Sequence, residues 1–158
     1  MRKVIFYLII ILSLPTILWA SDPFTGTWKL NIEKSNFPPN AGDRIPKGEI
    51  VVFKKIDEKF EITVTKTNAD GSTTITKSFV PKHGGTVKNE ETNISDGEFE
   101  VWTRINLHES IVTTLREGRQ WKVSQFQVSE DGKSQSQIVK ITFRNGNTIE
   151  MKTMWDRQ

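Results

Sequence analysis

A chain of 158 residues suits one domain, and its complete lack of cysteine excludes a disulfide framework, a thiolate site and the cysteine-linked lipid anchor of an exported lipoprotein. The 22 basic and 19 acidic residues give a net charge of +3, yet Arg2 and Lys3 belong to a segment expected to be removed. That leaves 20 basic residues against 19 acidic ones, which argues against a nucleic-acid-binding surface.

Met1–Ala20 reads as a secretory signal peptide. Arg2 and Lys3 form a short positive start, Val4–Leu12 is an apolar run, and Pro15 breaks it. Ala20 before Ser21-Asp22-Pro23 is a small residue at the expected cleavage point. The competing reading is an uncleaved N-terminal anchor, because the apolar stretch reaches about the lower length limit for a span. Pro15 and the Ala20-Ser21 junction favour cleavage, which makes the protein exported, periplasmic or extracellular, with no stable membrane span.

Residues 21–158 read as one β domain. In Phe24–Ile32, Gly26 allows a tight turn and close approach, and Trp28, Leu30 and Ile32 share one face by the strand period of two. Glu33–Gly48 carries Pro38, Pro39 and Pro46 and is expected as a long loop, either functional or plain surface. Glu49–Ile56 and Lys59–Thr67 follow as strands around the Asp57-Glu58 turn. Asn68–Gly71 turns into a strand over Ser72–Val80, Pro81–Gly85 breaks the pattern, and Thr86–Asn89 is a weak strand.

Asp96-Gly97 opens Glu98–Asn106, where Phe99, Val101, Thr103 and Ile105 lie on one face and Trp102 and Arg104 on the other. Ser110–Glu117 and Arg119–Ser129 come next. The phases of Trp121 and Val123 against Phe126 and Val128 predict a bulge near Ser124-Gln125. Asp131-Gly132 leads into Lys133–Arg144, and Asn145-Gly146 into Asn147–Trp155.

The pattern holds about nine or ten strands joined by short turns, with no helical period. The expected fold is all-β: a single antiparallel up-and-down β-barrel of about 8–10 strands, preferred to a sandwich because long crossovers are few. Only 35% of the residues are hydrophobic, which suits a barrel with a partly polar, hydrated interior or a loosely packed sheet.

Phe24-Thr25-Gly26-Thr27-Trp28-Lys29-Leu30-Asn31 resembles the first strand of lipocalins and fatty-acid-binding proteins. Continued through Lys34-Ser35-Asn36-Phe37-Pro38-Pro39, it is similar to small exported bacterial lipocalin-like proteins of the calycin superfamily. Their late hairpins resemble Ser129-Glu130-Asp131-Gly132-Lys133. The resemblance spans most of residues 21–158 and is strong at the start. It implies a lipocalin-like or fatty-acid-binding-protein-like barrel whose Glu33–Gly48 loop covers the mouth. It also implies that Arg157, after the last strand, packs over Trp28 near Gly26 and closes the barrel, as a planar guanidinium stacks on an indole.

Trp102, Trp121, Phe126, Trp155, Phe99 and Phe143 are candidates to line an apolar cavity, or to serve as ordinary core. Arg104 and Arg116 are candidates to meet an acidic headgroup by a charge-assisted pair, against the plainer reading of solvent-facing arginines. The ligand-binding set is therefore Trp102, Arg104, Arg116, Trp121 and Phe126. The arginine-and-tyrosine clamp of intracellular fatty-acid-binding proteins is not expected in its usual form, since Tyr7 is the only tyrosine and lies in the signal.

His83 and His108 match no metal-ligand spacing, so no metal or haem cofactor is expected. Asp57, Asp70, Asp96 and Asp131 are explained by turn chemistry. No Ser–His–Asp set, carboxylate pair or phosphate loop emerges, so no catalytic residue is assigned and the protein is not expected to be an enzyme. The reading is an extracytoplasmic binding or carrier protein for a small lipophilic or amphipathic ligand. The alternative is a filled barrel acting as a protein-interaction or inhibitor module.

Overall fold

The computed structural model describes residues 22–39, 41–42, 45–88 and 97–158. The signal-peptide reading of residues 1–20, Asp96 of the expected turn and the Asn89 end of the weak strand lie outside the described residues.

Alternating residues and short turns build ten strands: β1 Gly26–Asn36, β2 Gly48–Ile56, β3 Lys59–Thr67, β4 Thr73–Pro81, β5 Gly85–Lys88, β6 Glu98–Asn106, β7 Glu109–Arg116, β8 Arg119–Val128, β9 Ser134–Thr142 and β10 Thr148–Arg157. All pair antiparallel in one sheet, in the order β4-β3-β2-β1-β10-β9-β8-β7-β6-β5. The first and last strands are hydrogen-bonded neighbours, with Trp28 opposite Arg157 and Leu30 opposite Trp155. The sheet thus curls into a nearly closed up-and-down barrel, in which β4 and β5, the two ends of the strand order, lie against each other.

In such a topology alternate turns fall at opposite ends. One end gathers the β2–β3, β4–β5, β6–β7 and β8–β9 turns with both ends of the described chain. The other gathers the β1–β2, β3–β4, β7–β8 and β9–β10 connections.

Trp28 organises the first end. It is wholly buried, and its Nε1 donates to Phe24 O at 2.9 Å. The Arg157 guanidinium lies over the indole, 4.4 Å from the ring centre. Arg157 also donates to the carbonyls of Pro23, Thr25 (2.7 Å) and Gly132. One cation therefore ties the entering chain, the final strand and the β8–β9 turn together.

Gly26 makes room for it. Its φ is +136°, and a Cβ there would lie 2.7 Å from Arg157 Nη1. Gly84 has a similar role in the β4–β5 turn, where a Cβ would meet Trp102 O at 2.8 Å.

Two expectations are corrected. β1 does not end at Ile32 but continues to Asn36 through a register shift after Asn31. Asn31 Nδ2 and Lys34 Nζ both donate to Asp156 (2.6 and 3.2 Å), and the Ser35 hydroxyl accepts from Met154 N at 2.9 Å. These bonds hold the polar extension against β10. The β8 bulge lies not at Ser124-Gln125 but where Thr114 and Leu115 face Lys122 and Gln120, leaving Trp121 unpaired. Val123 simply faces outward, and the inward positions there are the polar Lys122 and Ser124. On β6 the face that carries Trp102 turns inward: Glu98 and Glu100 are buried on it, and Ile105 is exposed on the outer face.

Arg157→Ala removes the stack and three carbonyl bonds, so it should destabilise the barrel by about 3 kcal/mol and lower Tm by roughly 10 °C in thermal denaturation. Arg144→Ala, at an exposed turn, should leave Tm within about 2 °C.

Candidate functional site

The interior has two chemically different walls. Trp28 and Leu30 on β1, Val51 and Phe53 on β2, Phe60 and Ile62 on β3, and Val80 on β4 supply one wall of buried apolar side chains. The ring contacts Phe24–Phe53 and Phe53–Phe60, each 6.3 Å between centres, continue it into the chain that enters β1. The facing arc, β6–β10, is mixed. It contributes Val112, Val128, Val139 and Trp155, and it also holds Glu98, Glu100, Ser110, Thr114, Ser124, Gln135 and Thr153. Among the described residues these seven are the buried polar and charged side chains of the sheet, and none lies on β1–β4.

A buried carboxylate is tolerable only when its charge is met by donors or cations. Glu100 receives bonds from Trp102 Nε1 (3.2 Å), Thr114 Oγ1 (3.3 Å) and Lys122 Nζ (3.5 Å). Glu98 is paired with Arg116. Further round, Trp155 Nε1 donates to Thr153 Oγ1 at 3.1 Å, and Thr153 donates to Gln137 Oε1 at 3.4 Å.

Glu49 and Lys66 face each other across β2 and β3 at the end opposite Trp28. Burial pushes the Glu49 carboxyl above its ordinary value, partly offset by the Lys66 charge.

The five expected ligand residues divide between the two ends. Trp102 and Phe126 stack at 5.9 Å with an interplanar angle of 15°, and both pack against the apolar core. Arg104 lies at the Trp28 end. Its Nη2 donates to both Asp22 carboxylate oxygens at 3.1 Å and to Leu107 O at 2.6 Å, and its guanidinium stacks 4.4 Å from the Phe24 ring centre. It works there as a clamp on the entering chain. A cavity of about 20 Å³ sits beside it, lined by Phe24, Phe53, Phe60 and Trp102 among others, which is room for about one water.

Arg116 and Trp121 lie at the opposite end, with the guanidinium 4.4 Å from the indole centre. They line a cleft of about 630 Å³ between the β7–β8 and β9–β10 turns, together with Arg119, Phe143 and Arg144. Sequence reasoning did not name Arg119 or Arg144. Arg119 opens β8 and Arg144 sits in the β9–β10 turn, and only the barrel brings those two hairpin ends side by side. Phe143, expected as a cavity residue, is half exposed at this cleft.

Phe37, in the expected mouth loop, packs partly buried against the core, and Pro46 is buried; residues 40, 43 and 44 of that loop lie outside the described residues. His83 pairs with Glu58 on the surface at 3.1 Å. His108 occupies the β6–β7 turn with its Nδ1 buried and unpartnered. Among the described residues no three His, Cys, Asp or Glu side chains gather as a metal site.

With this geometry in hand, two solved structures share the fold. Zebrafish ileal bile acid-binding protein complexed with cholic acid is 10% identical, with a TM-score of 0.53, covering 86% of this chain and 99% of its own. The REP1-NXSQ fatty acid transporter is 14% identical, with a TM-score of 0.53, covering 87% of this chain and 98% of its own. These likenesses show the fold alone: an antiparallel up-and-down β-barrel like that of fatty-acid-binding proteins. No family model matches the chain, and no curated protein matches it.

The raised Glu49 pKa has a signed consequence. Its folded form holds a proton more tightly than the unfolded chain, so stability falls as pH rises from about 4.5 through the folded value. Glu49→Gln should therefore melt higher than wild type at pH 7, and the gap should close as the pH is lowered to about 4. A pH-independent gap in thermal melts would contradict it.

Proposed function

We propose that this protein is an exported, non-enzymatic binding protein that holds a small amphipathic, lipophilic molecule inside its barrel, in the periplasm or outside the cell. The two-sided interior carries the reading. An apolar wall on β1–β4 faces an arc on β6–β10 that holds two buried carboxylates, the buried hydroxyls of Ser110, Thr114, Ser124 and Thr153, and a tryptophan–phenylalanine stack. A barrel built only for stability has no need of that asymmetry, because replacing buried polar groups with well-packed apolar ones is often neutral or stabilising. A ligand with one apolar and one hydrogen-bonding face matches both walls. The bile acid and fatty acid named for the two structures of the same fold are consistent with that class. The signal-like Met1–Ala20 supports export.

A second reading has an observation of its own. The Trp28 end is filled to within about 20 Å³, while Ile50 and Ile75 flank Thr65 on the outer face of β2–β4, 40% and 68% exposed. A filled barrel that presents this face to a protein partner is the interaction module.

Native mass spectrometry of the protein purified gently from the extracytoplasmic fraction decides between them. A discrete added mass released by organic solvent supports the binding protein. Phe126→Ala should then take up a lipophilic fluorescent probe about tenfold more weakly with the β-sheet circular dichroism retained. A clean apo mass with no probe uptake overturns this reading in favour of the interaction module, for which Ile75→Lys should abolish partner capture.

A further inference from the structure

The cleft between the β7–β8 and β9–β10 turns differs in kind from the interior. Its volume of about 630 Å³ falls within the usual range for small-molecule sites. Three arginines, Arg116, Arg119 and Arg144, line it against one carboxylate, Glu117. The Glu117–Arg144 pair is long, at 3.4 Å, and both side chains are largely exposed, so water and salt screen it and an incoming anion exchanges with it readily. Arg119 makes no ion pair among the described residues, whereas Arg116 is already anchored by Glu98 and stacked on Trp121.

Trp121 adds an independent sign of a missing partner. Its Nε1 is buried and has no acceptor among the described residues. An indole N–H can only donate, and buried donors without acceptors are rare because the lost hydration is not replaced. Phe143, 49% exposed at the edge of the same cleft, offers an apolar surface. The β7–β8 ladder leaves Trp121 unpaired, at the bulge of β8.

We propose that this cleft binds a small organic anion: a carboxylate, sulfate or sulfonate carried on a flat apolar body. The guanidiniums of Arg119 and Arg144 take the anionic oxygens in charge-assisted pairs. The Trp121 N–H donates to one of those oxygens, and the body lies against Phe143. A concave site of this volume suits a soluble molecule better than a flat anionic membrane, which needs a protruding apolar surface. The proposal goes beyond the interior reading and requires no ligand inside the barrel.

The test uses 1-anilinonaphthalene-8-sulfonate as the anion and N-phenyl-1-naphthylamine as its neutral counterpart, with the folded protein and fluorescence titration. The sulfonate should bind saturably, more weakly as salt rises, and more tightly than the neutral compound. The Arg119→Ala/Arg144→Ala variant should bind the sulfonate about tenfold more weakly. Both arginines are exposed, Arg119 at the first position of β8 and Arg144 in the β9–β10 turn, so the barrel should keep its wild-type Tm. Phe126→Ala, an interior change, should leave sulfonate affinity unaltered even if it empties the barrel of a lipophilic ligand.

Equal sulfonate affinity in the double variant and wild type would overturn the proposal. So would loss of sulfonate binding in Phe126→Ala, which would put the anion inside the barrel. Co-sedimentation with phosphatidylglycerol vesicles that depends on Arg119 and Arg144, without competition by the sulfonate, would assign the patch to a membrane surface and overturn it as well.

Discussion

Closure of one barrel end by two stacked arginines is the constraint on which the other features depend. Arg157 covers Trp28 and holds the carbonyls of Pro23, Thr25 and Gly132. Arg104 covers Phe24 and holds Asp22. One arginine stands on β10 and the other on β6, so the short segment before β1 is fastened across the end of the barrel. That strap matters because β4 and β5 are the two ends of the hydrogen-bonded strand order. The sheet is held in a ring partly by these cations and by the aromatic rings beneath them, where a guanidinium can stack and hydrogen-bond at once.

With that end packed, polar side chains are concentrated in one arc of the interior and at the opposite end. Glu98 and Glu100 are buried, yet each faces compensating groups: Arg116 for one, and Trp102, Thr114 and Lys122 for the other. Such a network needs most of its members in place, because a half-satisfied buried carboxylate is strongly unfavourable. β7 and β8 must therefore keep their register with β6, and the bulge at Trp121 falls between Thr114 and Lys122 on one side and Arg116 on the other. The bulge frees the indole, and the same distortion helps shape the cleft at the rim.

The up-and-down topology explains why the candidate residues fall into two groups. Trp102, Phe126 and Arg104 belong with the core and the strapped end; Arg116 and Trp121 belong with the opposite rim. Arg119 and Arg144 lie far apart in the chain in separate hairpins. They line one cleft because β7–β8 and β9–β10 are neighbouring hairpins whose turns project from the same end.

Local chemistry determined much of the architecture from the sequence alone. Period-two alternation and Gly, Asn and Asp turns placed Lys59–Thr67 and Glu98–Asn106 at their observed bounds, and they made the all-β barrel legible. Trp28 and Arg157 could be matched because the opening strand resembles that of lipocalins, a resemblance that implies this stack, and a guanidinium over an indole gives it a physical reason. What the tertiary structure decided was which face of each strand turns inward. On β6 the alternation separates Phe99, Val101 and Ile105 from Trp102 and Arg104 without ranking the two faces, and Glu98 and Glu100 occupy the interior because partners on β7 and β8 satisfy them there. The β1 extension and the β8 bulge were likewise hidden, since Asp156 and the Thr114–Leu115 register act from strands distant in sequence. Alternation reports the contrast between two faces of a strand; only packing across the barrel determines which of those faces is inside.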